Sequence, residues 1–154
     1  MGLIDLASSA SAWRGYEYYQ GKRVIKRKKL DENTVSGEVS GSGQKIYHVT
    51  INLAHPRSSS CDCPHANGKR IVCKHMVALY FAAFPKEAQT YYADVMEAEE
   101  EADAWHEKME ELLISHVHQM KKPELQQALL QLLFEGPEWQ YERFLRENID
   151  EYSE

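Results

Sequence analysis

The segment CDCPHANGKRIVCKH, residues 61–75, contains all three cysteines of the 154-residue chain. Its pattern is C-x-C-x9-C-x-H, formed by Cys61, Cys63, Cys73 and His75. Three thiols and one imidazole, in two close pairs that a short turn-rich loop separates, are the ligand types and the spacing that tetrahedral zinc requires. The pattern therefore predicts one zinc ion that holds this part of the chain together.

The spacing within each pair predicts the backbone around the ion. Residues i and i+2 of a strand share one face with Cα atoms about 6.6 Å apart, so Cys61 and Cys63 can converge on one ion. In a helix, residues i and i+2 point in directions that differ by about 200°, so Cys73 must precede the first helical turn. His75 would lie within that turn. The positive end of the helix would then favour Cys73 as a thiolate.

Other uses of these residues are alternatives. The cysteines could be reduced thiols that bind no metal. Cys73 and His75 could form a catalytic pair, although no orienting acid is evident and the other cysteines would go unexplained. An iron–sulfur cluster is a third alternative, although such clusters favour all-cysteine ligation. His65, in the loop between the pairs, could replace His75 as the fourth ligand.

The four-ligand pattern argues against catalysis. If protein side chains fill all four positions, no coordination site is left for water or substrate, so the metal has no Lewis-acid task. The sequence also contains no phosphate-cradling glycine loop, no nucleophile elbow and no H-E-x-x-H motif. We therefore expect a protein that is not an enzyme and that has no small-molecule substrate.

Hydrophobic periodicity predicts an α+β arrangement up to the end of the metal motif. Apolar residues at helical spacing predict an N-terminal helix over about residues 3–19, ended by Gly21. The segments KRVIKRKKL, TVSGEV and KIYHVTINL predict three strands of a small sheet. Asn67-Gly68 predicts a tight turn between the ligand pairs, and KHMVALYFAAF predicts a helix that Pro85 ends, so that a small strand, a turn and a helix surround the ion.

Beyond that helix, the chain is predicted to be helical throughout. A long helix spans about residues 87–120, and Pro123 and Pro137 start two shorter helices. A heptad stripe runs along the long helix and must be covered for the helix to be stable. We expect a three-helix bundle anchored by Trp105, and a monomer rather than a homodimer, with self-association through the stripe as the alternative. The stripe consists of Tyr91, Val95, Ala98, Ala102, Trp105, Met109, Leu112 and His116.

Charge divides the chain in the same way as these elements. We predict a zinc-finger domain at residues 1–86 and an acidic helical segment at residues 87–154. The first carries 13 Lys and Arg against 6 Asp and Glu, and the second carries 5 against 18, so their net charges are +7 and −13. This asymmetry indicates a basic working domain and an acidic partner segment.

The metal pattern resembles the SWIM-type zinc finger, which has a C-x-C pair, a spacer of variable length and a C-x-H pair. CDCP and CKHMVAL are similar to the corresponding segments of bacterial members, and RGYEYYQGKRV, GEVSGS and YHVTI are similar to the segments that precede their finger. The resemblance covers about residues 13–84. It implies a zinc-binding module with a strand-strand-helix zinc finger, in a family generally thought to bind DNA or proteins. It also implies His75 rather than His65 as a ligand.

The basic stretch GKRVIKRKK predicts a surface that contacts phosphates. It places six Lys or Arg among residues 22–29, and a solvated edge strand kept soluble by its charges is the alternative. Basic residues of the first helix and of the metal loop would extend this surface if the fold brings them alongside. The candidate nucleic-acid contacts are Arg14, Lys22, Arg23, Lys26, Arg27, Lys28, Lys29, Lys69, Arg70 and Lys74.

Together these patterns predict a non-catalytic module with one structural Zn²⁺ that binds nucleic acid, DNA in particular. The alternative is a protein–protein interaction adaptor whose acidic C-terminal helices dock a partner. No apolar run approaches the roughly 20 residues of a membrane-spanning helix, and no secretory leader is evident at the N-terminus. We therefore expect a cytoplasmic protein with no membrane partner.

Overall fold

The computed structural model describes residues 2–43 and 45–149. The first of its elements are a helix, α1 (Ser9–Gln20), and four strands, β1 (Val24–Lys29), β2 (Thr34–Ser40), β3 (Ile46–Asn52) and β4 (Ser60–Cys61). Four helices follow, α2 (Lys74–Ala83), α3 (Pro85–Gln119), α4 (Lys122–Glu135) and α5 (Glu138–Asn148). Short 3-10 helices occupy Ile4–Leu6 and Pro56–Ser58. The predicted α+β class, with helices after the finger, is confirmed.

The four strands form one antiparallel sheet in the order β1-β2-β3-β4. Alternation along β2 and β3 places Val35, Val49 and Ile51 on a buried face. Helix α2 packs on this face, and a Cβ built on Gly37 of β2 would lie 2.6 Å from a methyl carbon of Leu79 in α2. The close approach of α2 to the sheet therefore requires a glycine at position 37.

Helix α2 is the centre of the hydrophobic core, because α1 packs against it as well. Gly15 of α1 has no side chain at the point where Val77 of α2 crosses, so the two helices lie close together. Phe81 of α2 is fully buried, and its ring lies against Tyr16 and Tyr91 with centroids 6.0 and 5.2 Å apart. Packing on two sides fixes the position of α2, and hence the position of its N-terminus.

Helix α1 begins at Ser9, whereas the apolar spacing predicted a helix from residue 3. Ser8 caps α1 by accepting a hydrogen bond from the backbone N–H of Ser11. Upstream of the cap, Ala7 is extended and pairs with Val72 of the metal loop. The N-terminal segment therefore supports the metal loop instead of lengthening the helix. The predicted ends of α1 at Gly21 and of α2 before Pro85 are confirmed.

The chain forms two compact units, Met1–Glu97 and Ala98–Glu154, and the division falls within α3. The domain boundary predicted between residues 86 and 87 stays a prediction. None of the helices in the described part of the chain combines the length and the apolar character needed to cross a membrane.

In the second unit, the predicted burial of Trp105 is wrong. Its side chain is 58% exposed, and among the described residues α4 and α5 contact each other but neither packs extensively on α3. The apolar residues of this part of α3 do not form one stripe that a single neighbouring helix could cover. Met109, Leu112, Leu113 and Ile114 point in different directions around the helix, and all four are exposed. One neighbouring helix covers a single stripe, so short connections alone do not produce a three-helix bundle here.

Candidate metal centre

The sheet and α2 bring the four predicted zinc ligands together. Cys61 ends β4 and pairs with Val49 of β3, so the sheet holds it in place. Cys63 begins the turn-rich loop that follows. Cys73 is the N-cap residue of α2 and His75 lies in its first turn, which is the placement that the i, i+2 spacing predicted.

The ligand atoms of these four residues all lie within 4.8 Å of one another. Nδ1 of His75 is 3.8 Å from Sγ of Cys61 and 3.9 Å from Sγ of Cys73. A zinc ion with bonds of about 2.0–2.3 Å places its tetrahedral ligand atoms roughly 3.4–3.8 Å apart. The cluster therefore fits zinc, and Nδ1 is the histidine nitrogen that faces the two cysteine sulfurs.

The protonation of the three thiols also fits a cation. A hydrogen bond from the Cys61 thiol, outweighing burial and assisted by His75 and the backbone N–H of Met76, lowers the pKa of Cys73 below its ordinary value. The same contact, together with burial, raises the pKa of Cys61, and burial raises the pKa of Cys63. Of the three thiols, only Cys73 therefore has a lowered pKa. A divalent cation supplies the charge that allows all three cysteines to bind as thiolates.

The ring of His75 is held by packing. It is 4% exposed, and its centroid lies 4.5 Å from that of Tyr47 and 5.5 Å from that of Tyr18. Its Nε2 is buried and has no hydrogen-bond partner among the residues that the structure describes. Packing against the rings of Tyr47 and Tyr18 therefore fixes the direction in which Nδ1 of His75 points.

The loop between the two ligand pairs contains the predicted tight turn. The backbone N–H groups of Ala66 and Asn67 donate to the carbonyl oxygen of Cys63, at 3.1 and 2.9 Å. Gly68 has φ of +71°, a left-handed conformation that glycine adopts without strain. The turn returns the chain to α2, so that Cys73 reaches the same point in space as Cys61.

Sequence patterns did not identify the pair Asp62 and His48, which lies beside the ligands. The Asp62 carboxylate accepts hydrogen bonds from the backbone N–H of His48 at 2.9 Å, and its other oxygen is 3.0 Å from the His48 ring. These contacts lock β3 to the residue between Cys61 and Cys63. The one sequence signal for this contact is the alternation in the segment C-D-C, which points the Asp62 side chain away from the two cysteines.

His65 is exposed and lies outside the cluster of four ligand atoms. We therefore expect His75→Ala to lower the zinc content of the purified protein, because it removes one of four ligands, and His65→Ala to leave it unchanged. Metal analysis after dialysis against a competing chelator measures both. Loss of zinc from His65→Ala alone would make His65 the fourth ligand.

The structure separates the predicted nucleic-acid residues into several groups. By register, Lys26 and Lys28 of β1 share the solvent face of the sheet with Glu38 of β2, and Lys26 Nζ is 3.1 Å from a Glu38 carboxylate oxygen. Arg27 and Lys29 alternate to the other side of this edge strand. Lys69 and Arg70 lie in the loop between the ligand pairs, and Lys22 is in the turn after α1, with φ of 52°.

The remaining three, Arg14, Arg23 and Lys74, are here called the basic cluster, because Arg23 and Lys74 lie over the ring of Tyr18 and Arg14 lines a cavity together with Lys74. The Arg23 guanidinium carbon and the Lys74 Nζ lie 4.7 and 4.4 Å from the centroid of the Tyr18 ring. Burial raises the pKa of Tyr18, but hydrogen bonds with Lys74 and Ser42 and the charges of Lys74 and Arg23 outweigh burial, so the net pKa is lowered.

The basic cluster adjoins the metal centre. Arg14 and Lys74 line a cavity of about 350 Å³ together with Cys63, Cys73 and His75. Within residues 2–43 and 45–149, no salt bridge involves Arg14, Arg23 or Lys74. No carboxylate in the described part of the chain therefore neutralises these three cations, and Arg23 donates one hydrogen bond to the carbonyl oxygen of Gly41 at 3.1 Å.

Comparison with known proteins identifies one similarity. Residues 47–84 match the family model of the SWIM zinc finger. No curated protein and no solved structure matches the chain. The matched residues contain β3 from Tyr47 onward, β4, α2 and all four predicted ligands, so the predicted resemblance is confirmed for this segment. The match and the buried cluster together support one structural zinc, as predicted.

Proposed function

From the SWIM zinc finger at residues 47–84, we propose that the chain is a non-catalytic module that binds nucleic acid, with zinc holding the binding surface in shape. The observation that carries this proposal is the basic cluster of Arg14, Arg23 and Lys74, which adjoins the metal centre and has no acidic partner among the described residues. A metal enclosed by four protein ligands leaves no position for substrate, which supports a role without catalysis.

Zinc would control the position of the basic cluster directly. Lys74 follows the predicted ligand Cys73, and its ammonium lies over Tyr18 of α1. The cavity beside it has room for a phosphate group, and Arg14 and Lys74 would both donate to phosphate oxygens. Removing the metal would release Cys73 and therefore displace Lys74.

The solvent face of the sheet would provide a second set of phosphate contacts through Lys26 and Lys28. Glu38 neutralises part of this charge, so we expect it to contribute less than the basic cluster. Lysine and arginine side chains on such surfaces contact phosphates rather than base edges. Binding should therefore be weakly selective for sequence.

We expect the zinc-loaded protein to bind labelled duplex or single-stranded oligonucleotides with strong salt dependence. Four to six phosphate contacts correspond to a log–log slope of affinity against salt of roughly −4 to −5 on duplex DNA. Fluorescence anisotropy at several salt concentrations measures this slope. Absence of binding at low salt to both duplex and single strands would contradict the proposal and favour the adaptor function.

Charge reversals identify which cations make the contacts. Arg14→Glu with Arg23→Glu should reduce the magnitude of the slope by about 2, and Lys26→Glu with Lys28→Glu should reduce it by less, because Glu38 already neutralises part of that charge. Lys121→Glu with Lys122→Glu, in the second unit, makes the same charge change and should leave the slope unchanged. The zinc content of each variant must equal that of the wild type. A loss of nucleic-acid binding can then be assigned to the lost cations and not to unfolding of the finger.

A second candidate function is the protein–protein adaptor. The observation that favours it is the second unit, whose helices expose large apolar side chains such as Trp105, Phe134 and Trp139. Such surfaces are often sites of protein association.

Three thiols that serve as metal ligands must stay reduced, which supports a cytoplasmic location for either function.

A further inference from the structure

The solvent face of the sheet continues into a cleft beside the loop between the ligand pairs. One cavity of about 620 Å³ lies on this face along β1, β2 and β3, and a second of about 490 Å³ lies between β3, β4 and that loop. His48 and Thr50 of β3 line both cavities. The two cavities are therefore parts of one groove that crosses all four strands, here called the sheet groove.

We propose that the sheet groove binds a single strand of nucleic acid, which crosses the sheet from β1 to the loop between the ligand pairs. This inference rests on the proposed function and extends it, because it adds a continuous binding surface and distinguishes single strands from duplexes. Among the described residues, the sheet groove shares no lining residue with the cavity beside the basic cluster. The two surfaces can therefore be altered separately.

Basic side chains lie at both ends of the sheet groove, where they can contact the phosphates of a strand that crosses it. They are Lys26 and Lys28 at the β1 end, and Arg57, Lys69 and Arg70 at the loop end. In the part of the chain that the structure describes, the three at the loop end form no salt bridge. Both carboxylates that line the groove have partners, since Glu38 contacts Lys26 and Asp62 contacts His48. The groove therefore carries a net positive charge, which attracts a polyanion.

The middle of the sheet groove has an exposed ring beside small side chains. Ser36, Thr50 and Ser60 lie side by side in the register of β2, β3 and β4, so no large side chain in this row covers the neighbouring ring of His48. The His48 side chain is 72% exposed, and its Nδ1 lies 3.0 Å from an Asp62 carboxylate oxygen, which fixes the orientation of the ring. Unpaired bases stack on exposed planar rings of this kind.

The position of His48 in the middle of the sheet favours a single strand over a duplex. Neighbouring strands lie about 4.8 Å apart, so the four strands span about 14 Å. The major groove of B-DNA is about 12 Å wide and admits a helix or a two-stranded ribbon, so a four-stranded face does not enter it. A duplex would contact the outer cations and leave the ring unused. An unpaired strand places a base on His48 and phosphates at both ends of the groove.

Fluorescence anisotropy of the zinc-loaded full-length protein tests the class of ligand. The probes are a labelled oligonucleotide of roughly 16 nucleotides, without self-complementary sequence, and the duplex that it forms with its complement. At equal salt we expect the single strand to bind about tenfold more tightly, from one stacked base. Duplex binding that equals or exceeds single-strand binding would overturn this proposal and leave the proposed function standing. Absence of binding to both probes would overturn the two together.

His48→Ala tests the stacking contact. Loss of one stacked base should weaken single-strand binding about tenfold and leave duplex binding unchanged. His48→Phe keeps an aromatic ring and should bind single strands nearly as well as the wild type. His55→Ala removes an exposed histidine of the same unit that lines neither cavity, so it should leave both affinities unchanged. Wild-type single-strand affinity in a zinc-loaded His48→Ala protein would overturn the proposal, as would equal losses in the alanine and phenylalanine variants.

Arg57→Glu with Arg70→Glu tests whether the strand reaches the loop. Both side chains are exposed, so the zinc content should stay at the wild-type level. Two phosphate contacts on a single strand correspond to about 1.4 in the log–log salt slope, and we expect the magnitude of the slope to fall by about that amount. If Arg14→Glu with Arg23→Glu reduces the slope and Arg57→Glu with Arg70→Glu does not, the proposal is overturned and the basic cluster alone carries the proposed function.

Discussion

Replacing Cys73 with serine should release the zinc and unfold the finger. Zinc-finger peptides gain about 10–16 kcal/mol from the ion at neutral pH, which is comparable to the roughly 5–15 kcal/mol that stabilises a whole domain. Cys73 is also the N-cap residue of α2 and is 1% exposed, so the change affects the centre of the core.

Circular dichroism, together with amide dispersion in NMR spectra, measures this outcome. Wild-type protein treated with a strong chelator serves as the matched control, because it loses the ion while keeping every side chain. Both samples should show the same loss of dispersed amide signals from the residues of the finger. A Cys73→Ser protein that stays folded and keeps its zinc would contradict the ligand assignment.

Phe81→Ala should have the second largest effect, because Phe81 is fully buried between α1 and the start of α3. Removing a buried phenylalanine side chain costs about 3–5 kcal/mol. We expect the midpoint of urea unfolding, measured with zinc in excess, to fall accordingly.

Leu30→Ala provides the control for the core substitution. Leu30 is also in the first unit but is 54% exposed, so its truncation should change stability by less than about 0.5 kcal/mol. Equal midpoints for wild type and Phe81→Ala would show that α2 is not the packing centre of this unit.

Local patterns were sufficient to predict the strands, the finger helix and the metal ligands. The alternation in β3 and the turn at Asn67-Gly68 depend on neighbouring residues alone. The i, i+2 spacing of Cys73 and His75 has a single solution at a helix N-terminus, so it predicted the N-cap position correctly.

Long-range contacts were not predictable in the same way. The pairing of Ala7 with Val72 shortens α1, and no local signal marks it. Six basic residues lie close together in the sequence at positions 22–29, but strand alternation places Lys26 and Arg27 on opposite sides of β1. Trp105 has the spacing of a core residue, yet whether a heptad stripe is covered by its own chain or by another is decided by packing that the stripe itself does not encode.

The zinc content of the purified protein tests the central claim most directly. The protein is refolded with zinc available, freed of loosely bound metal by dialysis, and measured by metal analysis together with native mass spectrometry. One zinc per chain is the expected result, since Cys61, Cys63, Cys73 and His75 provide one complete set of ligands. A content well under half an equivalent in folded protein would contradict the metal centre and, with it, the role of zinc in the fold.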